Sequence, residues 1–164
     1  GMMFHNLGAE VTCWEGREEN YKLMQELHPN LKAHHLNLEF ARIDDDFDVI
    51  LNVGVLYHIF NFEAHLKNCM DRCRTLILET EVVNTEVEGF WVVREPVENL
   101  AASMSGQGTR SSESYLNRLL KEGGFSFVRP SYPETMDIYP WRYSWPKDTP
   151  VFEIGLRAMW FCEK

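Results

Sequence analysis

The sequence predicts an α/β fold with a mostly parallel sheet. The stretch Phe47–Ile59 is the strongest indication, because Val49, Ile50 and Leu51 form a short apolar run of the kind found in strands buried on both faces. Acidic residues precede this run, and Asn52 and Gly54 follow it, which favours a short strand over a buried helical turn. Further strand-like runs alternate with helical patterns along the chain.

In the N-terminal half, four more elements are predicted. Acidic residues in the first turn and an apolar stripe at steps of three indicate a helix that Pro29 ends. In chain order the elements are the end of a helix at 2–8 with Gly8 after its cap, a strand at 11–15, a helix at 18–28 and a strand at 31–38.

In the C-terminal half, the apolar residues Phe62, Leu66, Cys69, Met70 and Cys73 recur at helical spacing. A helix capped by a serine and ended by Gly123 is predicted further on. The full set is a helix at 62–72, strands at 74–80 and 89–93, a loop at 101–110, a helix from 111 or 112 to 122, and strands at 125–128 and 152–162.

Composition limits the classes of partner. The 164 residues suit one domain, spanning 1–164, and a net charge of −9 argues against nucleic acid or an anionic membrane as the main partner. No apolar stretch is long enough for a membrane span, and the N-terminus does not resemble a signal peptide. With only four dispersed cysteines, a reducing, cytoplasmic location is expected.

Polar residues at predicted strand ends are the candidate site residues, since ligands of open parallel sheets bind at the carboxyl ends of strands. Glu15 and Gly16 end one strand, and a carboxylate there can accept hydrogen bonds from two adjacent hydroxyls, although a surface acid in a turn is the alternative. The adjacent His34 and His35 would point to opposite faces of a strand, so no metal site is predicted.

A family resemblance rests on three segments. Asp48-Val49-Ile50 running into Val55-Leu56-Tyr57-His58-Ile59 resembles the fourth strand of class I S-adenosylmethionine-dependent methyltransferases. Thr75-Leu76-Ile77-Leu78-Glu79-Thr80 is similar to the fifth strand of this family. The predicted helix that ends in Gly124-Phe125 is similar to a later helix of the same family. The resemblance implies a Rossmann-like sheet that closes with a C-terminal antiparallel hairpin.

The resemblance also implies site roles. The cofactor would be S-adenosyl-L-methionine, and the acceptor a small molecule. Glu15 and Gly16 would lie at the ribose, and Asn37 and Leu38 at the adenine. Asn52, Val53 and Gly54 would complete the cofactor site, and His58 and Tyr57 are placed to act as a general base, with a packing or capping role as the alternative for His58.

One family feature is absent from this sequence: no first strand with a glycine-rich turn precedes Glu15. We expect a domain shortened at its start, with weakened cofactor binding. The two strands flanking the missing one could pair directly, the gene could be truncated, or another copy could cover the open edge as a homo-oligomer.

Two other functions stay open. A non-catalytic binding or assembly module could use the aromatic segment at 132–150, which could equally be a lid, an acceptor wall or a cover for the sheet edge. A nicotinamide-binding domain is the weaker alternative, because it too needs a glycine fingerprint ahead of Glu15.

Overall fold

The computed structural model describes residues 1–128, 142–143, 145, 148–153 and 155–164. Helices and strands alternate through most of the chain, as predicted. In order they are α1 (Met2–Asn6), β1 (Thr12–Glu15), α2 (Glu18–Leu27), β2 (Lys32–His35), β3 (Phe47–Val53), α3 (Phe62–Asp71), β4 (Cys73–Val83), β5 (Phe90–Arg94), β6 (Gln107–Ser112), α4 (Glu113–Glu122), β7 (Ser126–Val128) and β8 (Arg157–Glu163).

The long strand β4 is the centre of a six-stranded sheet. One edge of β4 pairs in parallel with β3, with Asn52 opposite Leu78, and the other edge pairs antiparallel with β8. At its C-terminal end β4 also pairs with β6, which carries β5. β7 pairs antiparallel with β8, so the predicted C-terminal antiparallel hairpin is confirmed.

The core lies where α3 and α4 pack on this sheet. Leu66 of α3, Leu116 of α4 and Trp160 of β8 are fully buried, and the predicted apolar stripe of α3 is confirmed. The helix α4 begins where predicted, because the Ser112 side chain accepts a hydrogen bond from the Tyr115 backbone N–H. By contrast, α2 has no buried residue.

The prediction of a loop over 101–110 is wrong at its C-terminal end. Residues Gln107–Ser112 form β6, which pairs with all five residues of β5. The segment lacks the alternation of apolar residues that indicates a strand, yet Thr109 and Ser112 are buried. Pairing with β5 and β4, not hydrophobicity, makes this segment extended. Most of the aromatic segment at 132–150 lies outside the described residues.

The strands β1 and β2 form a separate, parallel two-stranded sheet. Among the described residues β1 pairs with β2 alone, and β3 pairs with β4 alone. Direct pairing of β1 with β3, one of the arrangements considered from the sequence, is therefore not found. Residues of both strands instead line a cavity of about 830 Å³, here called the interstrand groove.

Candidate functional site

The turns that follow β1, β2 and β3 meet at a second cavity, of about 390 Å³, here called the strand-end cavity. β1 and β2 run in parallel and so bring their carboxyl ends to one edge of their sheet, and the turn after β3, which belongs to the other sheet, lines the same cavity. Seven of the predicted site residues line this cavity: Glu15, Gly16, Asn37, Leu38, Gly54, Tyr57 and His58.

Two predicted site residues do not line the strand-end cavity. Asn52 is 3% exposed, and its Nδ2 atom donates to His65 Nε2 at 2.9 Å, beside the interstrand groove. Val53 is exposed and lines neither cavity. Successive residues of a strand point to opposite faces, so α3 buries one face of β3 while the other face stays open.

The first wall of the cavity combines a carboxylate with a free backbone amide. The Arg17 backbone N–H donates to Glu15 Oε1 at 2.8 Å, and the other carboxylate oxygen accepts no hydrogen bond from the described residues. The Leu38 backbone N–H likewise has no partner among them. A Cβ atom on Gly16 would lie 2.6 Å from Met104 Sδ, so the Met104 side chain packs directly against the Gly16 backbone and would have to move for a larger residue.

The segment 100–104 forms the opposite wall, a contribution that the sequence pattern did not reveal. Arg17 Nη2 donates to the carbonyl oxygens of Ala102 and Ser103 at 3.1 and 3.2 Å. Asn20 Nδ2 donates to the Leu100 carbonyl oxygen at 3.3 Å. These bonds tie the segment to the start of α2.

A buried ion pair supports the floor of the cavity at Gly54 and Tyr57. Gly54, whose φ angle is +71°, donates its N–H to Glu79 Oε2 at 2.8 Å. Arg157 Nη1 donates to Glu79 Oε1 at 2.9 Å, and Arg157 Nη2 to the Tyr57 hydroxyl at 2.6 Å. Burial raises the pKa of Tyr57 despite this guanidinium, so the phenol keeps its proton at neutral pH.

His58 is held by a carboxylate. Its Nδ1 atom lies 2.5 Å from Glu95 Oε2, which also accepts from the Ser103 N–H, while Arg110 Nη1 donates to Glu95 Oε1. Burial alone would raise the pKa of Glu95, but the hydrogen bonds from His58 and Ser103 and the charge of Arg110 outweigh it and lower the pKa. An ionised carboxylate only accepts hydrogen bonds, so His58 Nδ1 carries the hydrogen.

The other imidazole nitrogen of His58, Nε2, has no hydrogen-bond partner among the described residues. Glu95 and Arg110 were not predicted as site residues, because Glu95 directly follows β5 and Arg110 lies on β6, and the place of these strands beside His58 depends on tertiary pairing. Across 1–128 and the described C-terminal residues, no group of three or more His, Cys, Asp or Glu side chains is placed to hold a metal ion. No helix among them has the length and apolarity to cross a membrane.

Comparison with known proteins gives matches in structure only. No protein-family model matches the chain, and no curated protein matches its sequence. The N-terminal domain of EvdMO1, solved with SAH bound, is 20% identical with a TM-score of 0.70, and the match covers 96% of this chain and 65% of that one. The chain thus spans less than two thirds of the EvdMO1 structure.

Two further matches carry methyltransferase names. An S-adenosylmethionine-dependent methyltransferase from Mesorhizobium loti is 10% identical, with a TM-score of 0.68 and coverage of 99% of this chain and 84% of that one. The 1,6-didemethyltoxoflavin-N1-methyltransferase of Burkholderia thailandensis, with bound 1,6-didemethyltoxoflavin and S-adenosylhomocysteine, is 17% identical, with a TM-score of 0.57 and coverage of 99% and 64%. The resemblance inferred from the sequence is therefore confirmed for the fold: the chain has the Rossmann-like fold of S-adenosylmethionine-dependent methyltransferases.

Proposed function

We propose that residues 1–164 act as one methyltransferase-like domain that transfers the methyl group of S-adenosyl-L-methionine to a small molecule. One observation carries the proposal: the turns after three strands, β1, β2 and β3, contribute to a single cavity of about 390 Å³. That volume falls in the range of small-molecule sites, and the place is where open α/β sheets bind nucleotides.

The residues present suit the nucleoside part of this cofactor. The free oxygen of Glu15 is an acceptor for ribose hydroxyls, and the unpaired Leu38 N–H is a donor for a ring nitrogen. Asn37 and Gly16 lie beside them and also line the cavity.

The cofactor would supply an activated methyl group, so the protein has to position the acceptor and exclude water. His58 Nε2 is free to take a proton from an acceptor hydroxyl or amine, while Glu95 holds Nδ1–H and stabilises the charged ring. Tyr57 is unsuited to the role of base because burial keeps its phenol protonated. We assign Tyr57 to the cavity floor instead, where its hydroxyl contacts Arg157.

Binding of adenosine and of S-adenosylhomocysteine, measured by isothermal titration calorimetry, tests the cofactor site. Because the groups assigned above all face the nucleoside that the two ligands share, we expect the two affinities to agree within about threefold, that is, within about 0.7 kcal/mol. Glu15→Gln should weaken both by about tenfold, or about 1.4 kcal/mol. The exposed Glu19, which does not line the cavity, provides the matched control Glu19→Gln.

Two results would count against this assignment. The first is no heat of binding with either ligand. The second is an equal effect of Glu15→Gln and Glu19→Gln.

A non-catalytic binding or assembly module is the second candidate function. It is favoured by the open face of β3, where Val49, Leu51 and Val53 are each between 39% and 48% exposed. Such a face is normally covered in α/β proteins. Failure to bind adenosine together with stable folding would favour this function. A homo-oligomer and a cytoplasmic location both stay predictions, the first testable by light scattering.

A further inference from the structure

We propose that Arg110 is a positioning residue that keeps the His58 ring uncharged, and that Glu81 holds Arg110 in this role. One series of contacts, here called the charge chain, joins His58, Glu95, Arg110 and Glu81 in that order. The inference rests on the proposed function, in which His58 must be neutral before it can take a proton from the acceptor. It goes further by naming two residues that set the charge of this ring.

The side chains of the charge chain alternate in type and lie close together. His58 Nδ1 is 2.5 Å from Glu95 Oε2, and the other carboxylate oxygen of Glu95 accepts from Arg110 Nη1 at 3.2 Å. Arg110 Nη2 lies 2.8 Å from Glu81 Oε2. The four side chains are between 7% and 22% exposed, so salt and solvent screen their charges less than at an open surface.

The backbone fixes Arg110 beside the turn that carries His58. Arg110 Nη1 also donates to the Tyr57 carbonyl oxygen at 3.1 Å, and its guanidinium lies over the Tyr57 ring, 4.8 Å from the centroid. A Cβ atom on Gly108 would lie 2.6 Å from the same carbonyl oxygen, so this approach of β6 to the turn requires glycine. The guanidinium is therefore held in place by contacts on both sides of the charge chain.

The charges of the chain indicate what Arg110 does to His58. The chain holds two carboxylates and one guanidinium, so a proton on His58 would balance it. Without the guanidinium, two uncompensated carboxylates would act on the ring, and nearby negative charge favours the charged imidazole. Arg110 offsets this effect, so Glu95 can hold the Nδ1 hydrogen while the ring stays neutral.

The other charged groups near His58 remain the same in every comparison below. Glu79 pairs with Arg157, which contacts the Tyr57 hydroxyl, and the opposite charges of this pair offset one another. Further charged side chains that line the strand-end cavity are Glu15, Arg17 and Glu39. A substitution at position 81 or 110 therefore changes the charge chain and leaves these groups in place.

The measurement is the ratio of charged to neutral His58 rings between about pH 5.5 and pH 8, read from imidazole nitrogen chemical shifts of the protein without ligands. Arg110→Gln should raise this ratio by about tenfold, because both carboxylates lose their counter-charge. Glu81→Gln should lower the ratio, because the Arg110 charge is then opposed by Glu95 alone. Changes of opposite sign identify an effect of charge, since a structural disturbance does not depend on the sign of the charge removed.

A double variant and a matched control complete the test. Glu81→Gln combined with Arg110→Gln removes one charge of each sign, so the ratio should return to within about threefold of wild type. This double variant leaves no unpaired carboxylate at position 81, so its folding cost is smaller than that of Arg110→Gln. Arg118 likewise bridges two glutamates, Glu88 and Glu122, at an exposed site, and Arg118→Gln should leave the ratio unchanged.

Three results would overturn the proposal. They are a change of the same sign in Arg110→Gln and Glu81→Gln, an unchanged ratio in both, and a double variant that departs from wild type as far as Arg110→Gln does. If Arg110→Gln does not fold, an unchanged ratio in Glu81→Gln overturns it. Failure of the proposed function has a different result: adenosine and S-adenosylhomocysteine give no heat of binding, while the ratios still change as expected.

Discussion

Acidification provides a direct test of the buried environment of His65 on α3. Burial lowers the pKa of His65 from 6.5 to about 4, because a charged imidazole would lose its hydration inside the protein. The unfolded chain therefore takes up a proton at a higher pH than the folded chain does. The stability that comes from keeping this ring neutral is complete above about pH 6.5 and is lost as the pH falls towards 4.

The magnitude follows from the difference between the two pKa values. At about 1.4 kcal/mol for each pH unit, the free energy of unfolding should fall by about 3 kcal/mol between pH 7 and pH 4 because of this residue alone. Carboxylates also titrate in this range, so the effect of His65 has to be isolated by a variant. His65→Gln keeps a polar side chain beside Asn52 and does not titrate.

Urea unfolding at several pH values between 7 and 4, followed by circular dichroism, measures this effect. We expect wild type to lose about 3 kcal/mol more stability than His65→Gln over that interval. His5 is exposed, so His5→Gln should follow the wild-type curve. Parallel stability curves for wild type and His65→Gln would refute the reasoning, since they would mean that the ring is charged or hydrated in the folded state.

Three further predictions concern the cavity floor and wall. Arg157→Leu should destabilise the protein by about 3–5 kcal/mol in urea unfolding, because the Glu79 carboxylate would stay buried without its partner, and an unchanged midpoint would contradict that. Gly54→Ala should cost about 1 kcal/mol, because the φ angle of +71° disfavours a side chain, and a stabilised variant would show that the turn differs. Glu95→Gln should reduce the Nδ1–H tautomer of His58, read from imidazole nitrogen chemical shifts, and unchanged shifts would argue against the pairing.

Elements with a strong local signal could be predicted from the sequence. The strand Phe47–Val53 contains the apolar run Val49–Leu51 that predicted it, and the Gly54 that was expected to follow the strand has a φ angle of +71°, as a turn there requires. The buried face of α3 follows from its helical spacing. The convergence of the turns after Glu15 and Asn37 follows from a general property of parallel sheets, so it too was predictable.

Features that arise from tertiary pairing could not be predicted in the same way. The strand β6 is made of small and polar residues and is extended because β5 and β4 pair with it. Glu95 reaches His58 only through that pairing, 37 residues away along the chain. The direction of Asn52 depends on which face of β3 meets α3, and residue type does not indicate this.

The link between Tyr57 and Arg157 has a consequence for biosynthesis. The two residues are 100 positions apart, and Glu79, which both the Gly54 N–H and Arg157 contact, precedes Arg157 by 78 positions. A ribosome releases the chain from its N-terminus, so the anionic side chain emerges long before its cationic counterpart. Until Arg157 of β8 is translated, the nascent chain must keep Glu79 hydrated, and the turn at Gly54 can take up its final form only after that residue has emerged.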